Sequence, residues 1–505
     1  MVFDSAESQG KPSSYVRDAA MTEKNDSAGV SSGEDADLQR LGLQSPTKRD
    51  IGLLEIIGLG WNICNSWSAI AVTLSISIAS GGPVTLLYGI ILIFVLGGAC
   101  ALSMAEIASV YPTAGGQYHW TSILAPERSS RVLPTEQASS YRCRSWYSHW
   151  RLTSILNYIP ETWHIFLLFQ AFNFAFTAYN IFLMKRTAWI HDLGSFFVIT
   201  VICLAHSTPK QDSSFVWTTF INDSGWSSKG IVFFTGLLNP NFIYSGLDGA
   251  IHLAEECNHA ASSIPKALIS TVTIGFVSSF VFSVAMLYSF RDIDPVLQSP
   301  YPILEIWSQA TGSSAAATTF VVTIAVCGCF ACTGALQTAS RLTWSFARDD
   351  AIVFSSFLGK ISPRFGVPVN ALIVNSALIF ILGCVFLGSS TAFNALVATG
   401  LILQQVSFSF PAALALYHRF KGAAAFERVL PSCKFRLPQP VGVVANILTI
   451  ALGLIALIFY DFPVVMPVTA SNMNYASVVI GVMGLFAIGN WFGYANRRYK
   501  GPRLD

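Results

Sequence analysis

Between Arg364 and His418 the chain runs through 53 residues (365 to 417) without one charged side chain. A helix needs about 20 predominantly apolar residues to cross the hydrocarbon of a bilayer. The stretch therefore has room for two spans, with a tight turn around Gly388-Ser389-Ser390. Further apolar runs of similar length cover 53–79, 84–107, 163–183, 188–206, 230–253, 267–290, 316–341, 441–461 and 473–495, and the uncharged stretch itself divides into 369–388 and 391–416. Only 11% of the residues are charged and 52% are hydrophobic, whereas a soluble domain carries about 25% charged residues. These runs predict an all-α polytopic membrane protein with eleven recognisable spans.

Other classes fall away on the same reading. A net charge of +2, without a basic run interleaved with aromatics, argues against nucleic acid as a partner. Neither an HExxH nor a GxSxG motif occurs, so no enzyme is expected. Most cysteines, including Cys64, Cys100, Cys203 and Cys384, lie inside apolar runs. The run Cys327-Gly-Cys329-Phe-Ala-Cys332 contains no histidine or carboxylate. Small residues for close helix packing explain it better than a metal, and neither a metal nor a cofactor is expected.

Cationic clusters assign the two sides of the membrane. Arg341, Arg348, Lys360 and Arg364 follow the seventh run, Arg419 to Arg436 the ninth, and Arg497 to Arg503 the last. All three belong in the cytoplasm, and an even number of runs separates each from the next. Residues 1–50, rich in Ser, Asp, Glu and Lys, read as a disordered cytoplasmic tail without a cleaved signal peptide. The plan is thus a tail (1–50), a transmembrane domain (51–496) and a short cytoplasmic C-terminal tail (497–505). The front half breaks the parity. Lys185 and Arg186 also read as cytoplasmic, yet one span too few precedes them. The missing one belongs at 128–156, where Arg128, Arg131, Arg142, Arg144 and Arg151 fall instead. A charge at mid-helix costs about 2.5–3.5 kcal/mol on insertion scales, so this filler should not insert unaided.

Two runs are interrupted by helix-weakening residues. The first holds Gly58, Gly60, Asn62, Cys64, Asn65 and Ser66; the fifth holds Gly236, Asn239, Pro240, Asn241, Gly246 and Gly249. Freed backbone groups are tolerated in lipid only where they are buried in protein or line a cavity. Paired broken helices are the best pointer in a sequence to a transporter's binding site.

Several stretches carry a family resemblance. They are Ser80-Gly-Gly-Pro83, Glu106 with the run YPTAGGQYHW from Tyr111 to Trp120, Trp163 to Phe166, and NPNFIYSGLDGAIHLAEE from Asn239 to Glu256. On these the chain resembles the fungal amino acid, GABA and choline permeases of the amino acid–polyamine–organocation superfamily. The resemblance covers roughly 50–127 and 157–500. It implies a LeuT-like fold: an inverted repeat of five plus five helices, helices 1 and 6 broken, twelve in all. It puts the third helix at 128–156, the segment already singled out by parity, so that helix is missing or corrupted, by a frame error or retained intron in the gene. It further implies a secondary active transporter working by alternating access, with a proton as co-substrate and the plasma membrane as location.

Carried over by position, Asn62, Cys64, Asn65 and Ser66 would offer backbone amides to a substrate carboxylate. Phe242, Tyr244, Ser245 and Gly246 would offer carbonyls to its amine, with Phe242 or Tyr244 closing over it. An aromatic face there also suits a quaternary ammonium. The ionisable groups in or near spans are Glu106, Asp248, His252 and Glu255. Asp248 is the first choice for proton coupling, against the alternative that it caps the resumed half-helix. Glu255 and Glu256 are expected at a solvated cytoplasmic mouth. A transport-inactive relative, a sensor or the product of a degenerate gene, is the competing function, favoured by 128–156.

Overall fold

The computed structural model describes residues 49–125, 161–182, 188–289, 291–299, 301–431, 433–463, 465–470, 472–499 and 501–502. The tail 1–48, the filler 128–156 and residues 503–505 lie outside the described residues. Helices fill all eleven expected runs. In chain order the segments used below are α1 (Leu53–Cys64), α2 (Ser66–Ala79), α3 (Gly82–Ala108), α4 (Gln117–Leu124), α5 (Thr162–Phe182), α6 (Ala188–His206) and α7 (Lys229–Gly236). They continue with α8 (Ala260–Ser289), α9 (Pro302–Thr311), α10 (Ser314–Arg348), α11 (Val369–Gly388), α12 (Ser390–Phe420), α13 (Gln439–Phe459) and α14 (Ala476–Asn490). Seven helices are long and apolar enough to cross a membrane on length and composition: α3, α8, α10 to α13, and the one opened by α14.

Without water to bond to, hydroxyls in these helices turn back on their own backbone. Thr73, Ser77, Ser279, Ser283 and Thr338 each donate to the carbonyl four residues earlier, at 2.7–3.0 Å. The long helices pack on one another, α12 along α13 and α8 against α3 and α1. α10 outruns its apolar run (316–341) because Arg341 and Arg348 continue the helix and find carboxylate partners.

The first interruption is a single residue. Asn65 takes the left-handed conformation (φ 44°, ψ 47°), which asparagine tolerates better than most residues, and it ends α1 and opens α2. The second is longer. After α7 a short turn (Leu238–Asn241) carries Pro240, a 3-10 turn follows (Phe242–Tyr244), and Ser245 is extended. Gly246 has φ 95°, a conformation that a side chain would strain, and a 3-10 helix then runs from Leu247 to Glu256.

The two interrupted segments run antiparallel and are pinned together at both ends. At one end Ile51 N donates to Glu256 O (3.1 Å) and Asn258 N to Ile51 O (2.9 Å). At the other, Ser80 bridges to Asn222, and Gly81 N donates to Ile221 O (2.9 Å). Two opposed, broken helices at the heart of an all-α membrane bundle are the central feature of the LeuT-like fold. The corresponding halves of the repeat include the stretch 128–156, outside the described residues.

Candidate functional site

The interruptions face each other. Ser66 Oγ donates to Ile243 O across the gap (2.6 Å), joining the start of α2 to the second break. Because α2 starts anew at Ser66, the N–H groups of its first turn have no acceptor four residues back, and that end of the helix is its positive end. Of the amides expected from the sequence, Ser66 alone lies in that turn; those of Asn62 and Cys64 belong to the continuous helix α1, and Asn65 N donates to Trp61 O (2.8 Å), because the chain stays helical up to Asn65. The carbonyls of the second break are partly engaged already. Phe242 O accepts from Ser245 N (3.0 Å), Ile243 O from Ser66, and Tyr244 O from Gln404 Nε2 of α12 (3.2 Å). A carbonyl has a second lone pair, so each can still accept from an ammonium.

The polar surroundings are unusual for a lipid-embedded core. Trp61 Nε1, Asn62 Oδ1, Asn65 Oδ1, Gln337 Nε2 and Gln404 Oε1 are buried with no hydrogen-bond partner among the described residues. Each such group costs about 1–3 kcal/mol if left unmet; Asn62 and Asn65 belong to the first interruption, and Gln404 bonds the Tyr244 carbonyl of the second. Asn62 lies over α10: a Cβ built on Gly334 would sit 3.8 Å from Asn62 Nδ2, and Gln337 is three residues further along that helix. Gln337, Gln404 and Trp61 were not among the residues expected from sequence. The glutamines sit inside long apolar helices, and that was the available signal.

Tyr244 and Phe242 separate in role. Tyr244 is buried, and its hydroxyl donates to Val272 O of α8 (3.0 Å). Its ring occupies space that only glycines leave: a Cβ on Gly97 would come within 2.6 Å of it, and one on Gly275 within 3.2 Å. Small residues that let helices close on a large one are the usual means of packing in membranes. Tyr244 thus wedges α3 against α8. Phe242 is the half-exposed aromatic of the break.

Asp248 lies in the first turn of the resumed helix, whose N-cap position is Gly246, so it is not at the cap. It is fully buried; its Oδ2 accepts from Gln117 Nε2 of α4 (3.3 Å) and faces His252 Nε2 (3.4 Å). His252 Nδ1 in turn meets Ala114 O at 2.7 Å. The solvated mouth expected for Glu255 and Glu256 is corrected by the structure, where both are buried. Glu255 pairs with Arg348 through two bonds (2.9 and 3.1 Å) and accepts from Ala114 N (3.0 Å). Glu256 pairs with Arg341 (2.7 Å). The reason is that the 3-10 helix packs on α10, which brings both carboxylates to arginines that had marked a cationic loop. Just past α10, Asp349 accepts from Tyr118 (2.5 Å) and meets His119 (2.6 Å). Burial pushes this carboxyl up, but His119, Arg348 and Tyr118 hold it on balance below its ordinary range. Glu106 pairs with Arg419 and accepts from Leu437 N (3.1 Å), fastening α3 to the end of α12 and to the segment that follows it.

The model of the amino acid permease family matches residues 51–485. A choline transporter of Saccharomyces cerevisiae is 34% identical over 90% of this chain and 82% of its own. A swainsonine transporter of Arthroderma benhamiae is 32% identical, covering 90% of this chain and 93% of its own. A putative amino acid/polyamine transporter of Macrophomina phaseolina is 29% identical over 84% and 97%. A crystal structure of a manganese transporter from Eremococcus coleocola superposes at a TM-score of 0.47 with 13% identity, over 91% of this chain and 98% of that one. The chain is an integral membrane protein, a transporter of small molecules and not an enzyme, and it belongs to the amino acid permease family.

Proposed function

We propose that this protein is a secondary active transporter that moves an amino acid, choline or a related small amine by alternating access, in symport with a proton. The observation that carries the reading is the meeting of the two helix breaks, joined by Ser66 and Ile243, with buried side-chain oxygens of Asn62, Asn65 and Gln404 beside them that have no partner among the described residues. A carboxylate suits the open N-terminus of α2, an ammonium the carbonyls of the second break, and a quaternary ammonium the ring of Phe242. The similarity to a choline transporter makes choline the first solute to test. We place both termini in the cytoplasm on the positive clusters beside the spans, and the protein in the plasma membrane on its family resemblance alone. A transport-inactive relative is the competing reading, supported by the arginine-rich stretch 128–156.

Phe242→Ala tests the site. A desolvated cation–π contact is worth about 2 kcal/mol, so apparent affinity for choline should fall about thirtyfold. An unchanged KM would remove Phe242 from the site. Asp248→Asn tests the coupling. The buried Asp248–His252 pair can hold and release a proton beside the second break, so the variant should lose the response of uptake to an acid-outside gradient. A persistent response would exclude Asp248 as carrier.

A further inference from the structure

A second intramembrane carboxylate, absent from the expected set, sits on α6. Asp192 is buried, and Trp67, in the first turn of α2 beyond the Asn65 break, donates its indole N–H to Asp192 Oδ1 (2.9 Å). Trp67 is itself fully buried, edge-on to Phe282 of α8 (5.5 Å) and tilted against Phe196 (6.0 Å). The thiol of Cys327, on α10, lies beside the same carboxyl and faces His191 Nδ1 at 3.6 Å. One carboxylate therefore touches the broken helix, α6 and α10.

Its surroundings define what it can bind. Among the described residues no lysine or arginine pairs with it; the titratable side chain beside it is Cys327, whose thiol faces His191. The charged residues of the helices packed on α6 lie elsewhere: Glu55 opens α1, Lys266 is near the start of α8, Glu305 of α9 binds Gln309, and Arg341 and Arg348 of α10 hold Glu256 and Glu255. α1 also contributes Cys64 at its end. A metal cation would need several oxygen ligands, but the neighbours are an N–H donor and a thiol, and the Ser195 hydroxyl is committed to His191 O (2.8 Å). A substrate ammonium likewise wants several acceptors, whereas the buried Trp67 presents a donor to Oδ1. A proton needs a single oxygen, and Oδ2 has no hydrogen-bond partner among the described residues. An ionised carboxylate buried beside the Trp67 indole is costly, and ionisable groups in membrane helices mark proton or ion pathways.

We propose that Asp192 is a proton-binding site of the transport cycle. One carboxylate oxygen takes a proton from water while the site is open, holds it as the neutral acid under the Trp67 indole, and returns it to water when the broken helix carries that indole away. The inference rests on the transport reading and adds a protonation site to the Asp248–His252 pair.

The test uses the purified full chain in lipid vesicles. Infrared difference spectra between acid and alkaline buffer should show the carbonyl stretch of a protonated carboxylic acid in apolar surroundings. The band should be lost in Asp192→Asn, which keeps an acceptor for the indole, and shifted in Trp67→Phe, which keeps the carboxyl. A band indifferent to both substitutions overturns the proposal, whether or not the vesicles transport anything. In the same vesicles, Asp192→Asn should lose the acceleration that an acid-outside gradient gives to uptake of radiolabelled choline. Acceleration equal to that of the wild type also overturns the proposal, whatever the spectrum. Wild-type vesicles that take up no choline would count against the substrate reading alone, with the infrared result still deciding on Asp192.

Discussion

Glu256→Ala should destabilise the protein by about 3–5 kcal/mol, the usual effect of removing one partner of a buried ion pair. Arg341 is almost fully buried, and its Nε donates to Glu256 Oε1 at 2.7 Å. The variant leaves the guanidinium without that carboxylate in a region of low dielectric, where the pair attracted each other strongly. The site is also mechanically central, because Glu256 O accepts from Asp50 N and Ile51 N and so pins the two broken helices together. The expected observation is a large fall in the thermal aggregation midpoint in detergent and a loss of the monodisperse peak. Removing both charges, with Glu256→Leu and Arg341→Met together, should recover most of the loss, since replacing a buried pair by apolar residues is often neutral. If Glu256→Ala alone behaves as wild type, the ion pair does not hold the 3-10 helix to α10.

Tyr244→Ala should have a similar effect for a different reason. Truncating a buried aromatic costs about 3–5 kcal/mol, and here the cavity opens between Gly97 and Gly275, whose backbones are fixed in two long helices and cannot collapse into it. Tyr244→Phe removes only the hydroxyl donated to Val272 O, worth about 1 kcal/mol. Folding yield and thermal stability should therefore separate the two variants widely, while Phe242→Ala stays near wild type in both. A stable, monodisperse Tyr244→Ala that merely fails to transport would restore Tyr244 as a lid over the substrate.

Much of the architecture was legible because lipid punishes exceptions. A run such as 369–388 coincides with α11, and 84–107 falls within Gly82–Ala108, since bilayer thickness and backbone satisfaction leave few other arrangements. The interruptions at Asn62–Ser66 and Phe242–Gly246 were legible for the same reason: glycine, proline and asparagine there have no other use. What they touch was not. Ser66 meets Ile243 across 177 positions of sequence, and Trp67 meets Asp192 across 125, so no local pattern records either contact. Glu255 and Glu256 looked like solvated charges because their arginines lie in another helix. Asp192 was in view within the run 188–206, yet a single carboxylate in an apolar run carries no sign of its partner. The glutamines of α10 and α12 escaped because amides lack the formal charge by which intramembrane residues are picked out.

On the proposed function a solute crosses the membrane through the opposed breaks. The most direct test is uptake by lipid vesicles containing the purified wild-type chain, with radiolabelled choline and a panel of amino acids offered under an acid-outside gradient. At least one of them should accumulate in the vesicles and be released when the gradient is collapsed. A folded, monodisperse protein that moves none of them would contradict it.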